Sequence, residues 1–462
     1  MSRRLPPPGS PSWSRSTPDL TRGTVDPTRG LVGSAVLRLA GPAVAAGLLE
    51  ASFNLVDTFW VGQGLGSTSL AGVATGGFIV WIVLAAASLP AVGLTAVASR
   101  RHGEGRRSAA ADAGHQALWL GLFLAVLIAV FGLAGLRGVF SLMGTPPDVT
   151  AEGEGYLSVY LTGVPIVFGY FVLEAAFRAS GDTRTPLLIL LLSVGLNFVL
   201  DPLLIFGPGA VPEMGVEGVA AATLVTRAIG CAVGYPLLVR RGLLARGPLR
   251  ASQIATIFRI GAPLAAGGIV FSFIYVILTR ITAPFGTDAL AALGVGHRIE
   301  AISYTVSLGF GAAAATAIGQ NLGAGRPDRA EASGRVATRY ALYFTLFAGA
   351  VLLLAPQELI RMFTQDPGVI SHGARYLSIV AIAQPFMALE LVLESGMGGA
   401  GYTTRPTIAS ISLTALRIPL ACWLAATVGV TGIWWTISMT GVARGLAMSL
   451  FWRAGRWRRA PV

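Results

Sequence analysis

Residues 172–186, VLEAAFRASGDTRTP, and residues 392–406, VLESGMGGAGYTTRP, are two versions of one pattern, 220 positions apart. Glu174 falls on Glu394, Gly181 on Gly401, Thr183 on Thr403 and Pro186 on Pro406. The register extends backward: Pro165 falls on Pro385, Tyr156 on Tyr376, Arg106 on Arg326, Gly103 on Gly323 and Gly66 on Gly286. Near the start the offset becomes 221, with LRLAGP (37–42) over FRIGAP (258–263). Near the end it becomes 214, with GVEG (215–218) over GVTG (429–432). Apolar composition alone does not hold one register from Gly66 to Pro186, so the chain is an internal duplication.

The surroundings of the duplicated unit are set by composition. The 462 residues are 53% hydrophobic and 12% charged, against about 25% charged in a soluble domain. Mean hydropathy is +0.68. Apolar runs of about 20 residues, the length that crosses a bilayer core, recur between residues 36 and 452. A backbone in lipid must satisfy its own hydrogen bonds, so these runs are helices. Their spacing gives about twelve spans, six per copy. The expected fold is an all-α polytopic membrane protein with twelve transmembrane helices in two pseudo-symmetric six-helix bundles. Six is even, so both copies enter the membrane in the same sense, an architecture of transporters. The expected layout is a disordered basic tail (1–33), a first lobe (34–242), a linker (243–257), a second lobe (258–453) and a basic tail (454–462).

All 34 basic residues are arginine, and the net charge is +12. They are spread over loops, which favours membrane orientation over a nucleic-acid surface. Arg3, Arg4, Arg15, Arg22 and Arg29 precede the first span. Arg100, Arg101, Arg106 and Arg107 follow the second, Arg240, Arg241, Arg246 and Arg250 the sixth, and Arg326, Arg329, Arg335 and Arg339 the eighth. The alternate loops 62–69, 207–215 and 427–431 contain no arginine. Arginine-rich loops stay in the cytoplasm, so both termini are expected there.

Ionisable groups within spans cost about 2.5–3.5 kcal/mol each on the insertion scale. Glu50, Asn54 and Asp57 are spaced i, i+4, i+7 and share one helical face. Asn197 and Asp201 are spaced i, i+4, and Pro202 follows. Two polar stripes in one half can converge on an acidic pocket, or each acid can pair with an arginine or cap a kink. Glu174 and Glu394 occupy the same place in both halves, which assigns them to the fold. Arg298 and Glu300 are two apart and do not face each other on a helix, so each is expected to pair with another segment. The place in the second half that matches Asp57, around Leu278 and Thr279, carries no acid.

Other chemistries lack their patterns. RRHGEGRRSAA (100–110) and GQNLGAGRPDRA (319–330) have glycines without GxxxxGK[ST], and read as helix C-caps with basic loops. The two cysteines lie in apolar segments, the four histidines form no HExxH, and no nucleophile arrangement stands out, so neither a metal site nor an enzyme is expected.

GPAVAAGLLEASFNLVDTFWVGQGLG, FRASGDTRTP, NFVLDPLLIFG, HRIEAISYTVSLGFGAAAATAIGQNLGAGRPDRA and RIPL, in this order, resemble the multidrug and toxic compound extrusion (MATE) family over about residues 34 to 452. The resemblance implies a two-lobed antiporter of the plasma (inner) membrane. It would expel lipophilic, mostly cationic small molecules in exchange for H⁺ or Na⁺ by alternating access, as a monomer with no cofactor beyond the coupling ion. The pattern is similar to the branch of DNA-damage-inducible-type and archaeal members, whose coupling acids lie on helices one and five. The matching positions are Asp57, Asn197 and Asp201, which become candidate Na⁺ ligands, with Glu50 and Asn54 beside them. Other branches use acids on helices seven and ten. Segment seven here, APLAAGGIVFSFIYVILT, has none, and segment ten has Glu390 and Glu394. The alternative within the superfamily is a flippase for lipid-linked saccharides, for which Arg227, Arg280 and Arg417 would supply positive charge.

Overall fold

The computed structural model describes residues 24–143, 145–208 and 212–462. Among them the first half forms α1 (Val32–Gly64), α2 (Gly66–Gly103), α3 (Arg107–Met143), α4 (Pro147–Thr162), α5 (Val164–Ala179), α6 (Arg184–Phe206) and α7 (Gly215–Arg240). The second half forms α8 (Ala251–Thr282), α9 (Thr287–Gly323), α10 (Pro327–Leu354), α11 (Pro356–Arg361), α12 (Pro367–Val380), α13 (Gln384–Gly399), α14 (Thr404–Ala415), α15 (Arg417–Val428) and α16 (Val430–Arg453).

Ten of these helices or continuous helix pairs are long and apolar enough to cross a membrane. The pair α4–α5, bent by 54°, makes an eleventh. The twelfth is α16, which takes the place of α7 in the second copy and buries Trp434 and Ile433. The fold is therefore twelve spans in two six-span bundles.

The repeat explains where spans break. Pro165 stands in the first turn of α5, and its equivalent Pro385 in the first turn of α13. A proline has no N–H to continue the preceding helix, so both fourth spans are split at the same point. In the second half the fifth span is split as well. Pro419 cannot donate to the carbonyl of Ala415, and α14 ends at Ala415.

The halves meet at the end of the molecule that carries both termini. Lipid tails are as apolar as leucine, so helix association in a bilayer relies on close packing of small residues. Glycines allow that approach here. A Cβ on Gly103 would lie 1.9 Å from the Gln320 carbonyl oxygen, and one on Gly323 would lie 2.0 Å from that of Arg100. Arg100 and Gln320 are repeat equivalents, as are the glycines, so the contact has pseudo-two-fold symmetry. Gly93 against Ile257 and Gly261 against Leu89 extend the α2–α8 seam, and Gly309 against Val44 extends the α1–α9 seam. Thr316 Oγ1 donates to the Arg178 carbonyl at 3.2 Å, and Gln320 Nε2 donates to that of Ala179 at 2.8 Å.

The layout differs from expectation at three places. Residues 24–33 are ordered: Val25 N donates to the Gly181 carbonyl at 2.9 Å, Pro27 is buried, and α1 has begun by Val32. Residues 1–23 lie outside the described residues. The linker is shorter than 243–257, because α8 starts at Ala251 and continues polar turns into the span. Gln116 holds the linker by donating to the Pro248 carbonyl and accepting from Arg250 N, both at 2.9 Å. The last residues are docked: Trp457 is fully buried and stacks on Trp452, with ring centroids 4.2 Å apart.

The two glycine-rich loops are helix ends. Gly105 and Gly325, again repeat equivalents, have φ of 74° and 68°, the left-handed conformation that terminates α2 and α9. GDTRTP is likewise a corner. Asp182 Oδ1 accepts from the backbone N of Arg184 and Thr185, each at 3.0 Å, and its other oxygen pairs with Arg241. That pairing ties the start of α6 to the end of α7.

Candidate functional site

α1 and α6 of the first half pack together and bring the two predicted stripes face to face. Asn197 and Asp201 are fully buried on α6, and Asn197 Nδ2 donates to Asp201 Oδ1 at 2.9 Å. Asp57 reaches them from α1, with its carboxyl group within hydrogen-bonding reach of that of Asp201. Pro202 removes the N–H that would bond the Phe198 carbonyl, so a backbone acceptor is freed one turn from Asp201.

Three oxygens define the chemistry. Asp57 Oδ1, Asn197 Oδ1 and Asp201 Oδ2 are buried and have no hydrogen-bond partner among the described residues. A buried acceptor left unmade costs about 1–3 kcal/mol. Two carboxyl groups and an amide oxygen that converge in this way suit a proton held between the acids. They equally suit a small hard cation, which prefers oxygen ligands. The Tyr156 and Tyr160 rings, stacked 6.2 Å apart, wall the same region.

Glu50 is engaged differently from its stripe-mates. It forms an ion pair with Arg227 of α7, whose guanidinium also lies over the rings of Tyr170 at 5.1 Å and Phe53 at 5.8 Å. Sequence reading identified both charges and not their union, because 177 residues separate them. The Asn54 side chain lies outside the described residues.

The acids assigned to the fold make local bonds. Glu174 pairs with Arg178 at 3.2 Å, and Glu394 accepts from Thr407 Oγ1 at 3.2 Å, across the corner at Gly401. Glu300 finds partners on another segment, accepting from the Tyr376 hydroxyl and from Gln384 Nε2 at 3.3 Å. Arg298 does not. It is exposed and has no ion pair among the described residues, which corrects the expectation that it pairs.

The second half holds a polar cluster in which Glu300, Glu390 and Arg417 are legible in the sequence and Tyr275, His297 and Thr440 are not. Tyr275 and His297 share a hydrogen bond of 2.7 Å, and His297 Nδ1 lies 3.9 Å from Glu300. Arg417 Nε donates to Thr440 Oγ1 at 2.7 Å, and Arg444 pairs with Glu390 at 2.7 Å. The available signal was a histidine and a glutamate three apart in an apolar run, GHRIEAIS. Here every buried carboxylate oxygen has a partner among the described residues.

Comparison with known proteins agrees with this architecture. The MatE family model matches residues 42–203 and again 263–423, one match per half. The chain is 29% identical over 441 residues to the probable multidrug resistance protein NorM of Thermotoga maritima, covering 92% of this chain and 93% of that one. It is 25% identical over 422 residues to an FAD transporter of Shewanella oneidensis, covering 90% and 93%. Its fold matches the crystal structure of the Vibrio cholerae MATE transporter VcmN in the bent form, with a TM-score of 0.84 at 24% identity, over 92% of this chain and 98% of that one. The duplicated bundles, the matched halves and the full-length relatives lead to one statement: the chain belongs to the MatE family and is a multi-pass membrane transporter.

Proposed function

We propose that the protein is a secondary antiporter that exports lipophilic, mostly cationic compounds in exchange for H⁺ or Na⁺. The observation that carries this reading is the convergence of Asp57, Asn197 and Asp201 on three buried oxygens without partners among the described residues. Glu50 offsets the charge of Arg227, so the remaining formal charge of the first-half site is that of the two aspartates. A cationic substrate is drawn to that charge, and an ion that neutralises the aspartates removes the attraction. Ion and substrate then favour the same site in opposite states, which is all that coupling requires.

The arginine distribution supports placing both termini in the cytoplasm. The closed seam then faces the cytoplasm. Rocking of the two bundles about the seam would re-expose the site inside. The names of the relatives support a small-molecule substrate, since one is described as multidrug and another as carrying FAD. The flippase alternative calls for a cavity of net positive charge. Of the three arginines that would serve it, Arg227 has a carboxylate partner, which weighs against it, while Arg417 bonds Thr440 Oγ1 and Arg280 is exposed.

The test is export of a panel of fluorescent cations from proteoliposomes under separate pH and Na⁺ gradients. Export that follows one gradient supports the proposal. Export indifferent to both gradients overturns it.

A further inference from the structure

Both ends of the described chain dock on the closed seam, in a pattern that follows the internal repeat. Residues 24–30, just before α1, lie across the boundary between the halves. On the first-half side Val25 N bonds the Gly181 carbonyl, and the Val25 oxygen presses on the position where a Gly181 Cβ would be, 2.2 Å away. On the second-half side Asn321 Nδ2 donates to the Pro27 carbonyl at 3.2 Å. Arg329 donates to the carbonyls of Pro27 at 2.9 Å, Arg29 at 2.6 Å and Gly30 at 2.8 Å, and Arg326 donates to that of Thr28 at 2.7 Å.

Residues 456–462, just after α16, do the reverse. Val462 presses on Gly401, the repeat equivalent of Gly181, with its Cγ2 2.3 Å from where a Cβ would be. Across the seam, in the first half, Arg100 donates to the Ala460 carbonyl at 2.9 Å and Arg101 to that of Val462 at 3.5 Å. Arg101 is the equivalent of Asn321. Each strap therefore rests on the corner glycine of its own half and is gripped by the helix end after the second span of the other half. The grip is on backbone carbonyls, so it reads the path of the strap and not its side chains. Pro27 and Ala460 are buried in the grips.

We propose that the two straps form a twin latch that holds this end of the transporter shut, and that both must release for the site to open on this side. The proposal rests on the alternating-access reading above, because a latch matters only if the seam opens. Hydrogen bonds from guanidinium groups are among the stronger ones, and Arg329 contributes three. The latch would set how often the seam opens without touching ion or substrate.

The experiment places spin labels at Arg184→Cys and Thr404→Cys, exposed equivalents on this end of opposite halves, with Cys231 and Cys422 replaced by serine. Distances are measured in lipid nanodiscs at low and high pH, with and without Na⁺. In the Arg100→Ala/Arg329→Ala variant the long-distance population should rise about tenfold or more, given the number of charged bonds removed. Each single variant should give part of that rise. Should the double variant fold poorly, Asp26→Ala serves instead. Asp26 shapes the strap by accepting from Thr28 N at 2.9 Å and lies outside every helix, so its loss should give a smaller rise in the same direction. Distributions unchanged in all of these variants overturn the latch alone, provided the unsubstituted protein shows two populations. A single population in the unsubstituted protein under every condition overturns the alternating-access reading, and the latch with it.

Discussion

Where the first half carries Asp57, the second half buries Leu278. The two helices occupy equivalent places, and both are the first span of a six-span bundle. Around Asp57 the oxygens of two acids and an amide converge without partners among the described residues. In the second half Glu300 is met by Tyr376 and Gln384, and Glu390 by Arg444 and Ser410. The difference shows how a duplicated scaffold divides its work. Glycines, prolines and corner acids recur because both bundles need the same breaks and the same seam. The unpartnered acids do not recur, so the repeated scaffold itself does not require them.

The largest effect expected from breaking this contrast is at Glu50. Glu50→Gln leaves the Arg227 guanidinium, which is 6% exposed, without its counter-ion. Stranding a fully buried charge costs about 3–5 kcal/mol, and the 36% exposure of the Glu50 side chain puts this pair at the low end of that range or below it. Thermal unfolding in detergent should show that loss, and adding Arg227→Met should restore most of it. A single variant as stable as the parent would mean that the pair is not structural.

Next come the seam glycines. Gly103→Ala and Gly323→Ala each place a methyl group on a carbonyl oxygen of the other half, at a cost of about 1–3 kcal/mol. The symmetry of the contact predicts similar losses at the two sites and fewer closed molecules in the spin-label measurement. Gly77, around which a Cβ meets nothing within 4 Å, is the control: Gly77→Ala should be neutral or slightly stabilising. Unequal losses at Gly103 and Gly323 would mean that the seam is less symmetric than its distances.

The smallest effects belong to the paired corner acids. Glu174→Gln and Glu394→Gln each weaken one local bond, worth about 1 kcal/mol or less. Ion-driven transport should persist in both. If Glu394→Gln uncouples transport, the second half has an ion site of its own and the division of labour fails.

Much of this was legible in the sequence, and the reason differs from element to element. Apolar runs, the 220-residue register and the arginine-rich loops encode span number and bundle pairing directly. Helical spacing is local, so Asn197 and Asp201 could be placed on one face, and Asp57 on another, before any contact was known. Partners distant in the chain were not encoded in that way. Glu50 demands a cation without naming Arg227, and the spacing at Arg298 suggests an ion pair that the described residues do not contain. The straps escape the sequence for a different reason. Proline, serine and arginine in residues 1–33 give a composition typical of disorder, yet residues 24–30 are held through backbone carbonyls, which composition cannot report.

If one half alone couples ion to substrate, Asp57 and Asp201 are the groups through which it does so. The most direct measurement is pH- or Na⁺-driven efflux of a fluorescent cation by Asp57→Asn in proteoliposomes, with folding checked by gel filtration. Driven efflux should fall to the level seen without a gradient, together with weaker binding of the cation. Driven efflux equal to that of the parent protein would contradict that assignment.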